Sequence, residues 1–279
     1  MLPLIMDNLN APVRIYQPFW DAKNKTYAQQ MPMLLAAGAT PLSVEDGMQR
    51  RLEVAAIPEK DIRERLMQGW FDTHLDTAVG IAYNGDKAKI VLASPLLLSI
   101  TPDTPLKDGA LIITPEQYGS IRETELTRKQ LERAGINDRL SKSRVVNHPG
   151  WQALVGGDKH LLGEYADLLF SLVKERYNEN SAMGFYVTNE QCPSVRPWVL
   201  DGFDDRSFAY DRRHLDFPYA RLVGVRTVAS EASAPQISDD AQRFALYRAT
   251  VTGQVRNVLA AKPVDLSAEL GKLEKIVSR

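Results

Sequence analysis

The chain has 279 residues, of which 44% are hydrophobic and 25% are charged, as expected for a folded protein with a sizeable core. Lysine and arginine number 34 and aspartate and glutamate number 35, so no global positive charge draws the chain to nucleic acid or to an anionic membrane, and only a local basic patch stays open. The single cysteine, Cys192, excludes an internal disulfide and any multi-cysteine metal site.

The N-terminus does not have the pattern of a signal peptide. The first residues, MLPLIMDNLN, are apolar, but they lack a basic start and a small-residue cleavage site. The longest apolar run, residues 95–100, is far shorter than the roughly 20 residues that cross a bilayer. We therefore predict a cytoplasmic protein without membrane contact.

The first part of the chain is predicted to form a short strand and two helices. The strand covers residues 13–16. Thr40-Pro41 is predicted to open the first helix, because proline is well tolerated in a first turn. The second helix follows Pro58, where apolar residues recur every four positions.

The strongest hairpin signal is Asn84-Gly85, which lies between two strand-like runs at residues 77–83 and 86–94. This dipeptide suits a type I′ turn, because both central residues of that turn need positive φ. Asp108-Gly109 predicts another turn, before a strand at residues 110–113.

The centre of the chain is predicted to be helical. Thr114 and Gln117 form a capping-box pattern, and we predict a helix that runs through Leu126 and Leu131 and ends at Gly135. Asp158 is predicted to cap a long amphipathic helix, Lys159–Tyr177. Gly156 and Gly157 before it suggest a phosphate cradle only superficially, because the Asp158 carboxylate would occupy the amides that a phosphate needs.

Residues 126–144 resemble a helix-turn-helix and carry six basic residues against two acidic ones. The segment departs from that pattern at Leu131 and Ser141, both of which are packing positions. Candidate nucleic-acid contacts are Arg128, Lys129 and Arg133. The alternative interpretation is a plain, solvated helical hairpin.

No nucleophile motif or metal cluster is evident. Cys192 precedes Pro193 without a helix that would activate it, and no G-x-S-x-G elbow occurs. The H-x-D pairs at His74 and His214 could each hold a metal if they lay in strands, but Arg212 and Arg213 oppose a cation beside His214. We favour structural or surface roles for these pairs and predict no metal and no cofactor.

Residues 196–226 have an unusual composition of six Arg and five Asp, without Lys or Glu, among six aromatic residues. Residues 195–200 and 220–228 are predicted strands, and turns or long loops lie between them. Arginine and aspartate form planar bidentate pairs, so the segment either holds a ligand or ties its own loops together. The candidate ligand-binding residues are Arg196, Trp198, Asp205, Arg206, Arg212, His214 and Asp216.

The same segment contains the pattern W-x(4)-F-x-D-x-S followed by R-x-V-x-V-R. The matching residues are Trp198, Phe203, Asp205, Ser207, Arg221, Val223, Val225 and Arg226. This pattern resembles the final hairpin of some lectin-like domains with a C-type-lectin architecture. The resemblance covers about 30 of 279 residues, and the remainder of the chain, with its helices and without cysteine pairs, does not follow it. We carry over no ligand and no binding site.

The predicted fold class is α+β, with an antiparallel or mixed sheet covered on one face by the Lys159–Tyr177 helix. The strands are drawn from residues 77–93, 110–113, 183–187, 195–200 and 220–228. Residues 1–230 form the predicted body, with a subdivision near residue 114 left open. Residues 237–279 form a C-terminal helical segment that docks on the body or on another subunit, which would make the protein a homo-oligomer.

Three functional hypotheses follow. The first is a non-catalytic binding or assembly protein that uses the surface at residues 196–226, because no nucleophile, metal cluster or cofactor loop is recognised. The second is a hydrolase-type enzyme that uses acid–base residues between positions 201 and 218. The third is nucleic-acid binding through residues 126–144. The ligand, substrate and partner stay open at this point.

Overall fold

Two sheets of unequal size organise the chain in the computed structural model, which describes residues 13–18, 25–131, 139–188, 190, 192–203, 209–210, 215–217 and 221–228. The strands are β1 (Val13–Pro18), β2 (Thr40–Pro41), β3 (Leu75–Asn84), β4 (Lys87–Val91), β5 (Leu106–Lys107), β6 (Ala110–Ile112), β7 (Glu125–Thr127), β8 (Phe185–Tyr186), β9 (Ser194–Leu200), β10 (Ala209–Tyr210) and β11 (Val223–Val228). The helices are α1 (Tyr27–Ala36), α2 (Val44–Ala55), α3 (Lys60–Trp70), α4 (Pro95–Leu98), α5 (Pro115–Ser120), α6 (Arg128–Leu131), α7 (Lys142–Val146), α8 (Pro149–Leu154) and α9 (Lys159–Tyr177).

The α+β prediction is confirmed. The larger sheet has the order β5-β6-β9-β3-β4-β7, and β10 joins it beside β9 and β8. All of its pairings are antiparallel except that of β8 with β10. The described residues belong to one compact unit, Val13–Val228, and the predicted C-terminal segment, residues 237–279, lies outside them.

The smaller sheet, with the order β1-β11-β2, corrects two predictions. Residues 223–228 pair in this sheet and not in the larger one. Thr40-Pro41 is a short strand beside β11, and α2 starts three residues later, after Ser43. The reason is that Ser43 and Asp46 form a complete capping box, whereas Pro41 lacks an amide hydrogen and suits an edge strand.

The predicted hairpin between β3 and β4 is confirmed, but its loop is shifted by one residue. Asn84 pairs with Lys87, so the loop residues are Gly85 and Asp86, and only Gly85 has positive φ, at 62°. The type I′ pattern occurs instead at the predicted Asp108-Gly109 turn between β5 and β6. There both loop residues have positive φ, 50° and 70°.

The predicted single helix from Thr114 to Gly135 is wrong. Thr114 and Gln117 form the expected capping box, but α5 ends at Ser120, and residues 125–127 form β7 beside β4. The Lys89 ammonium group ends the helix by donating hydrogen bonds to the carbonyls of Tyr118 (3.2 Å) and Ile121 (2.7 Å). The first helix of a helix-turn-helix is therefore replaced here by a strand and the short helix α6.

The long helix α9 has the predicted bounds. The Asp158 carboxylate accepts hydrogen bonds from the amides of His160 and Leu161, both at 3.0 Å, which confirms its role as a helix cap. Asn178 ends the helix in a left-handed conformation, with φ at 56°. The main neighbours of α9 are α2 and α7, so it reaches the sheet largely through other helices.

The larger sheet separates two apolar clusters. One contains residues of α2, α8 and α9 together with Tyr83 and Trp198, and the other contains residues of α1, α4 and α5 together with Ala82 and Val195. Strands β3 and β9 are consequently covered on both faces. Among the described residues, no helix is long and apolar enough to cross a membrane.

Candidate functional site

The chain lies on one side of β3 at the end of β9 and on the opposite side of β3 at Leu222. On one side of β3, Leu75 pairs with Leu200 and Asp76 pairs with Val199. On the other side, Asp76 forms a parallel bridge with Leu222. The first two residues of β3 thus fix both ends of this stretch, which we call the 201–221 segment.

Four sets of contacts, which we call anchors, attach the 201–221 segment to the rest of the described residues, which we call the body. The first anchor holds residues 201–203. The Arg51 guanidinium group donates a hydrogen bond to the Asp201 carbonyl at 2.7 Å, and the Phe203 amide donates to the Phe71 carbonyl. The Asp201 carboxylate also contacts His74 Nδ1. Because Arg51 and Phe71 belong to the helical layer, this anchor joins the segment to the main core.

Three further anchors follow along the segment. Residues 209–210 pair with β9 and β8. Leu215 is fully buried, and its amide donates to the Gly109 carbonyl at 2.8 Å. At the end, the Arg221 amide donates to the Asp76 carboxylate at 2.6 Å, and the Asp76 amide donates to the Arg221 carbonyl at 3.1 Å.

The anchors divide the segment into short connections at residues 204–208, 211–214 and 218–220. The candidate residues Asp205, Arg206, Arg212 and His214 fall in these connections and lie outside the described residues. Asp216 is exposed beside the buried Leu215. Along the sequence, most of the candidates therefore lie between the anchors.

Arg196 and Trp198 are structural residues of β9. Arg196 is 4% exposed, pairs with the Glu190 carboxylate and donates to the Asp108 carbonyl at 2.8 Å, which ties the β5–β6 hairpin to β9. Trp198 is fully buried, with its ring centroid 4.6 Å from that of Phe185. Neither side chain is accessible to a ligand, because β9 is covered on both faces, so we remove both from the candidate set.

Trp198 and Trp151 make a matched pair for a stability test. Both are fully buried against Phe185, but Trp151 Nε1 donates to the Met183 carbonyl at 3.0 Å, whereas Trp198 Nε1 has no acceptor among the described residues. We expect Trp151→Phe to cost about 1–2 kcal/mol more than Trp198→Phe, because it leaves a buried carbonyl unpaired. Urea unfolding of the two variants measures the difference, and an equal or reversed order would contradict it.

The residues that organise the site were missed by sequence reasoning. Arg51 follows another arginine in α2 and has the pattern of a solvated helix charge, yet it is 2% exposed. Its guanidinium group donates to three carbonyls and to the Tyr165 hydroxyl. Nothing in the sequence signals this burial, because the acceptors lie 19 to 150 positions away along the chain.

The two side chains of the H-x-D pair at position 74 make different contacts. His74 lies just before β3 and contacts Asp201, whereas Asp76 lies within β3 and accepts the Arg221 amide. Within the part of the chain that the structure describes, no group of three His, Cys, Asp or Glu side chains could hold a metal ion. The second pair, at His214, falls outside those residues.

Asp76 is a buried carboxylate with an electrostatic effect on its surroundings. Burial, together with the negative charge of Asp76, raises the pKa of Tyr27 well above its ordinary value of 10. The Tyr27 hydroxyl consequently stays protonated and donates to the Thr77 carbonyl at 3.0 Å. This bond and those of Asp76 fix the irregular start of β3, where the fourth anchor attaches.

Arg128, a predicted nucleic-acid contact, is engaged in a structural contact. Its guanidinium group donates to the Thr188 carbonyl at 2.8 Å and lies 5.5 Å from the centre of the Tyr83 ring. Lys129 is exposed, and Arg133 lies outside the described residues. The nucleic-acid hypothesis stays a prediction that would have to rest on Lys129 and its neighbours without Arg128.

No protein-family model matches this sequence, and no curated protein matches it either. A similar solved structure is described as "Accommodation of massive sequence variation in Nanoarchaeota by the C-type lectin fold". Its TM-score is 0.52 at 13% identity, and the match covers 78% of this chain and 99% of that chain. The fold is similar to the C-type lectin fold. This likeness extends far beyond the residues 198–226 that carried the resemblance in the sequence.

Proposed function

We propose that the protein is a binding protein that presents the 201–221 segment to a ligand on a C-type-lectin-like body. The observation that carries this proposal is the set of four anchors, which fix residues 201–203, 209–210, 215 and 221 to buried parts of the body. Binding residues commonly lie on loops that a rigid scaffold positions. Here the scaffold holds the segment at intervals of a few residues.

The anchors are built from groups that do not depend on the side chains between them. Backbone amides and carbonyls supply most of the bonds, and the side chains that take part, such as Arg51, Asp76 and Asp201, all lie outside the three connections. The similar archaeal structure is described as accommodating massive sequence variation. We propose that the connections of this chain also tolerate changes in sequence. Their residues would then determine which ligand binds, without altering the fold.

The residues proposed to contact the ligand are Asp205, Arg206, Arg212, His214 and Asp216. Arginine supplies planar, bidentate hydrogen bonding, and histidine adds a ring that both stacks and donates. Phe217, which is 39% exposed, adds an aromatic surface beside Asp216. Specificity would come from this mixture of charge and aromatic area.

The proposal is tested by replacing residues 204–208 and 211–214 with Gly/Ser sequences of the same length. We expect the free energy of unfolding to change by about 1 kcal/mol, because the anchors are untouched. Any ligand selected by the wild-type protein from a glycan array or a peptide-display library should lose binding by at least tenfold, a loss of about 1.4 kcal/mol. Chemical denaturation and surface plasmon resonance measure the two effects.

A matched control replaces Lys60, Glu64 and Arg65 on the exposed face of α3 with serine, and it should keep both stability and binding. Unfolding of the Gly/Ser protein would favour the alternative that the charged residues form a network which locks the loops. Retained binding would also contradict the proposal, because it would place the ligand elsewhere on the body.

A further inference from the structure

We propose that Met33 is a site of reversible oxidation by a peroxide, and that the oxygen of its sulfoxide binds Lys25 more tightly than the sulfur does. The site lies on α1, outside the 201–221 segment, and does not depend on the function proposed for that segment. The inference is carried by the exposure of Met33 and by the contact that its sulfur makes.

Exposure distinguishes Met33 from the other methionines that the structure describes. Met33 is 43% exposed, whereas Met31, Met48 and Met183 are fully buried. Met67 is half-buried and packs against the apolar cluster of α2, α8 and α9. Oxidation requires that the oxidant reach the sulfur, so among these five side chains Met33 is the one that a dissolved peroxide attacks first.

The Met33 sulfur already has a hydrogen-bond donor in place. The Lys25 ammonium group lies 3.1 Å from Sδ, although the two residues are eight positions apart. A long side chain in a helix points back towards the N-terminus, so Met33 reaches towards the residue that precedes the cap of α1. Because a thioether sulfur is a weak acceptor, the contact is weak in the reduced protein.

Oxidation changes the acceptor at this contact. A lone pair of the sulfur attacks one oxygen of hydrogen peroxide, and the S–O bond forms as the O–O bond breaks. The departing hydroxide takes the proton of the transferred oxygen and leaves as water. The sulfur thus loses an electron pair and the peroxide gains it. The sulfoxide oxygen is polar and accepts a charge-assisted hydrogen bond from the Lys25 ammonium group.

The new bond would fasten the start of α1. The Lys25 carbonyl accepts a hydrogen bond from the Gln30 side chain at 3.0 Å, and Thr26 and Gln29 form a complete capping box. A bond from Lys25 to the Met33 sulfoxide adds a link between the residue before the cap and the second half of the helix. We therefore expect the first turn of α1 to open less often after oxidation.

The first turn of α1 also supports the third anchor of the 201–221 segment. The Ala28 amide donates to the Leu215 carbonyl at 3.3 Å. A firmer first turn would hold this carbonyl more firmly, which links oxidation of Met33 to the attachment of the segment. Only the importance of this link rests on the proposed binding function.

The first measurement is oxidation of the folded full-length chain by dilute hydrogen peroxide, followed by peptide mapping with mass spectrometry. We expect Met33 to be oxidised about tenfold faster than Met31, Met48 and Met183, because these are buried. Methionine sulfoxide reductases of both stereospecificities should restore the Met33 thioether. A rate at Met33 no higher than that at Met31 would overturn the proposal, as would a sulfoxide that the reductases leave unchanged.

The second measurement compares amide hydrogen exchange before and after oxidation. The amides of Gln29 and Gln30 report on the first turn, because both bond to Thr26. We expect their protection to rise about threefold, the size of effect given by an exposed charged contact. The rise should be absent in Lys25→Ala, in which the donor is missing. Unchanged or lower protection in the wild type would contradict the proposal, as would a rise that survives in Lys25→Ala.

Met33→Leu treated with the same peroxide is the matched control. It keeps every other methionine, including Met1 and Met6, which lie outside the described residues. A rise in protection of the same size in Met33→Leu would assign the effect to another residue and overturn the proposal. No ligand is present in these experiments. Failure to find a ligand for the 201–221 segment would consequently leave their results intact, so the two proposals fail separately.

Discussion

Replacing Arg51 with methionine is expected to lower the free energy of unfolding by about 4 kcal/mol, in the range found when one partner of a buried charged contact is removed. The guanidinium group donates to the Trp70 and Asp201 carbonyls and to the Tyr165 hydroxyl, all at 2.7 Å. Methionine fills much of the volume but leaves these acceptors buried without a donor. Each such group costs about 1–3 kcal/mol.

The neighbouring residue provides the matched control. Arg50 is less buried than Arg51: its side chain is 25% exposed, pairs with Glu53 at 3.0 Å and lies 5.6 Å from the centre of the Trp70 ring. Arg50→Met is expected to cost less than about 1 kcal/mol, because a partly exposed ion pair contributes little. Urea unfolding of both variants checks the difference. If Arg51→Met does not fold, Arg51→Lys replaces it in the test, because lysine keeps the charge but loses the planar fork. We expect Arg51→Lys to fold and to lower the free energy of unfolding by more than Arg50→Met does. Equal costs for Arg50→Met and Arg51→Met would show that the buried bonds do not stabilise the fold.

Local chemistry explains which elements could be predicted. Asp158 needs only the amides of the next turn to begin α9, and Thr114 needs only Gln117 to cap α5. The Asp108-Gly109 turn follows from two residues that tolerate positive φ. In each of these cases the decisive interaction lies within a few positions along the chain, so the residue types are sufficient to specify it.

Long-range contacts explain the failures. The residues around Leu126 in the sequence are compatible with a helix. Leu126 nevertheless lies in a strand, because β7 pairs with the edge of β4 and Lys89 bonds to the carbonyls at the end of α5. Thr40-Pro41 becomes a strand because β11, more than 180 positions later, pairs with it. Tertiary pairing overrides local propensity in both cases, and a single sequence carries no record of which distant strand is the partner.

In the candidate site, too, local composition was informative, whereas burial that depends on long-range packing could not be predicted. The composition of residues 196–226 pointed to a stretch whose central part, between β9 and Leu222, begins and ends on opposite sides of β3. It also selected Arg196 and Trp198, which are buried in β9. A strand covered on both faces has no alternation of polar and apolar residues, so the sequence has no signal that distinguishes its buried arginine from a surface one.

Lowering the pH from 6.5 to 4 is expected to cost the fold about 3 kcal/mol through His148 alone. Burial lowers the pKa of His148 from 6.5 to about 4, against the opposing effect of its hydrogen bond to the Leu131 carbonyl. A difference of about 2.5 between the pKa values of the unfolded and the folded chain corresponds to about 3 kcal/mol. In this range the unfolded chain takes up a proton at His148 that the folded chain does not, so stability falls as the pH falls.

The geometry around His148 explains why the charged form is excluded. Nε2 lies 3.1 Å from the Leu131 carbonyl, and Nδ1 faces the amides of Gly150 (3.1 Å) and Trp151 (3.4 Å), which it caps at the start of α8. The carbonyl requires a proton on Nε2, and the amides require a lone pair on Nδ1. Protonating Nδ1 would direct its hydrogen at two donors.

His148→Asn removes the titrating group and keeps an oxygen that can cap α8. The variant should be less stable than the wild type at pH 7, because the bond to the Leu131 carbonyl is lost, but its stability should depend less on pH between 6.5 and 4. Urea unfolding at intervals of half a pH unit measures both slopes. His160→Asn, at an exposed position of α9, should keep the wild-type slope. An unchanged slope in His148→Asn would mean that other groups govern the acid sensitivity of the fold, and that the buried cap is not its cause.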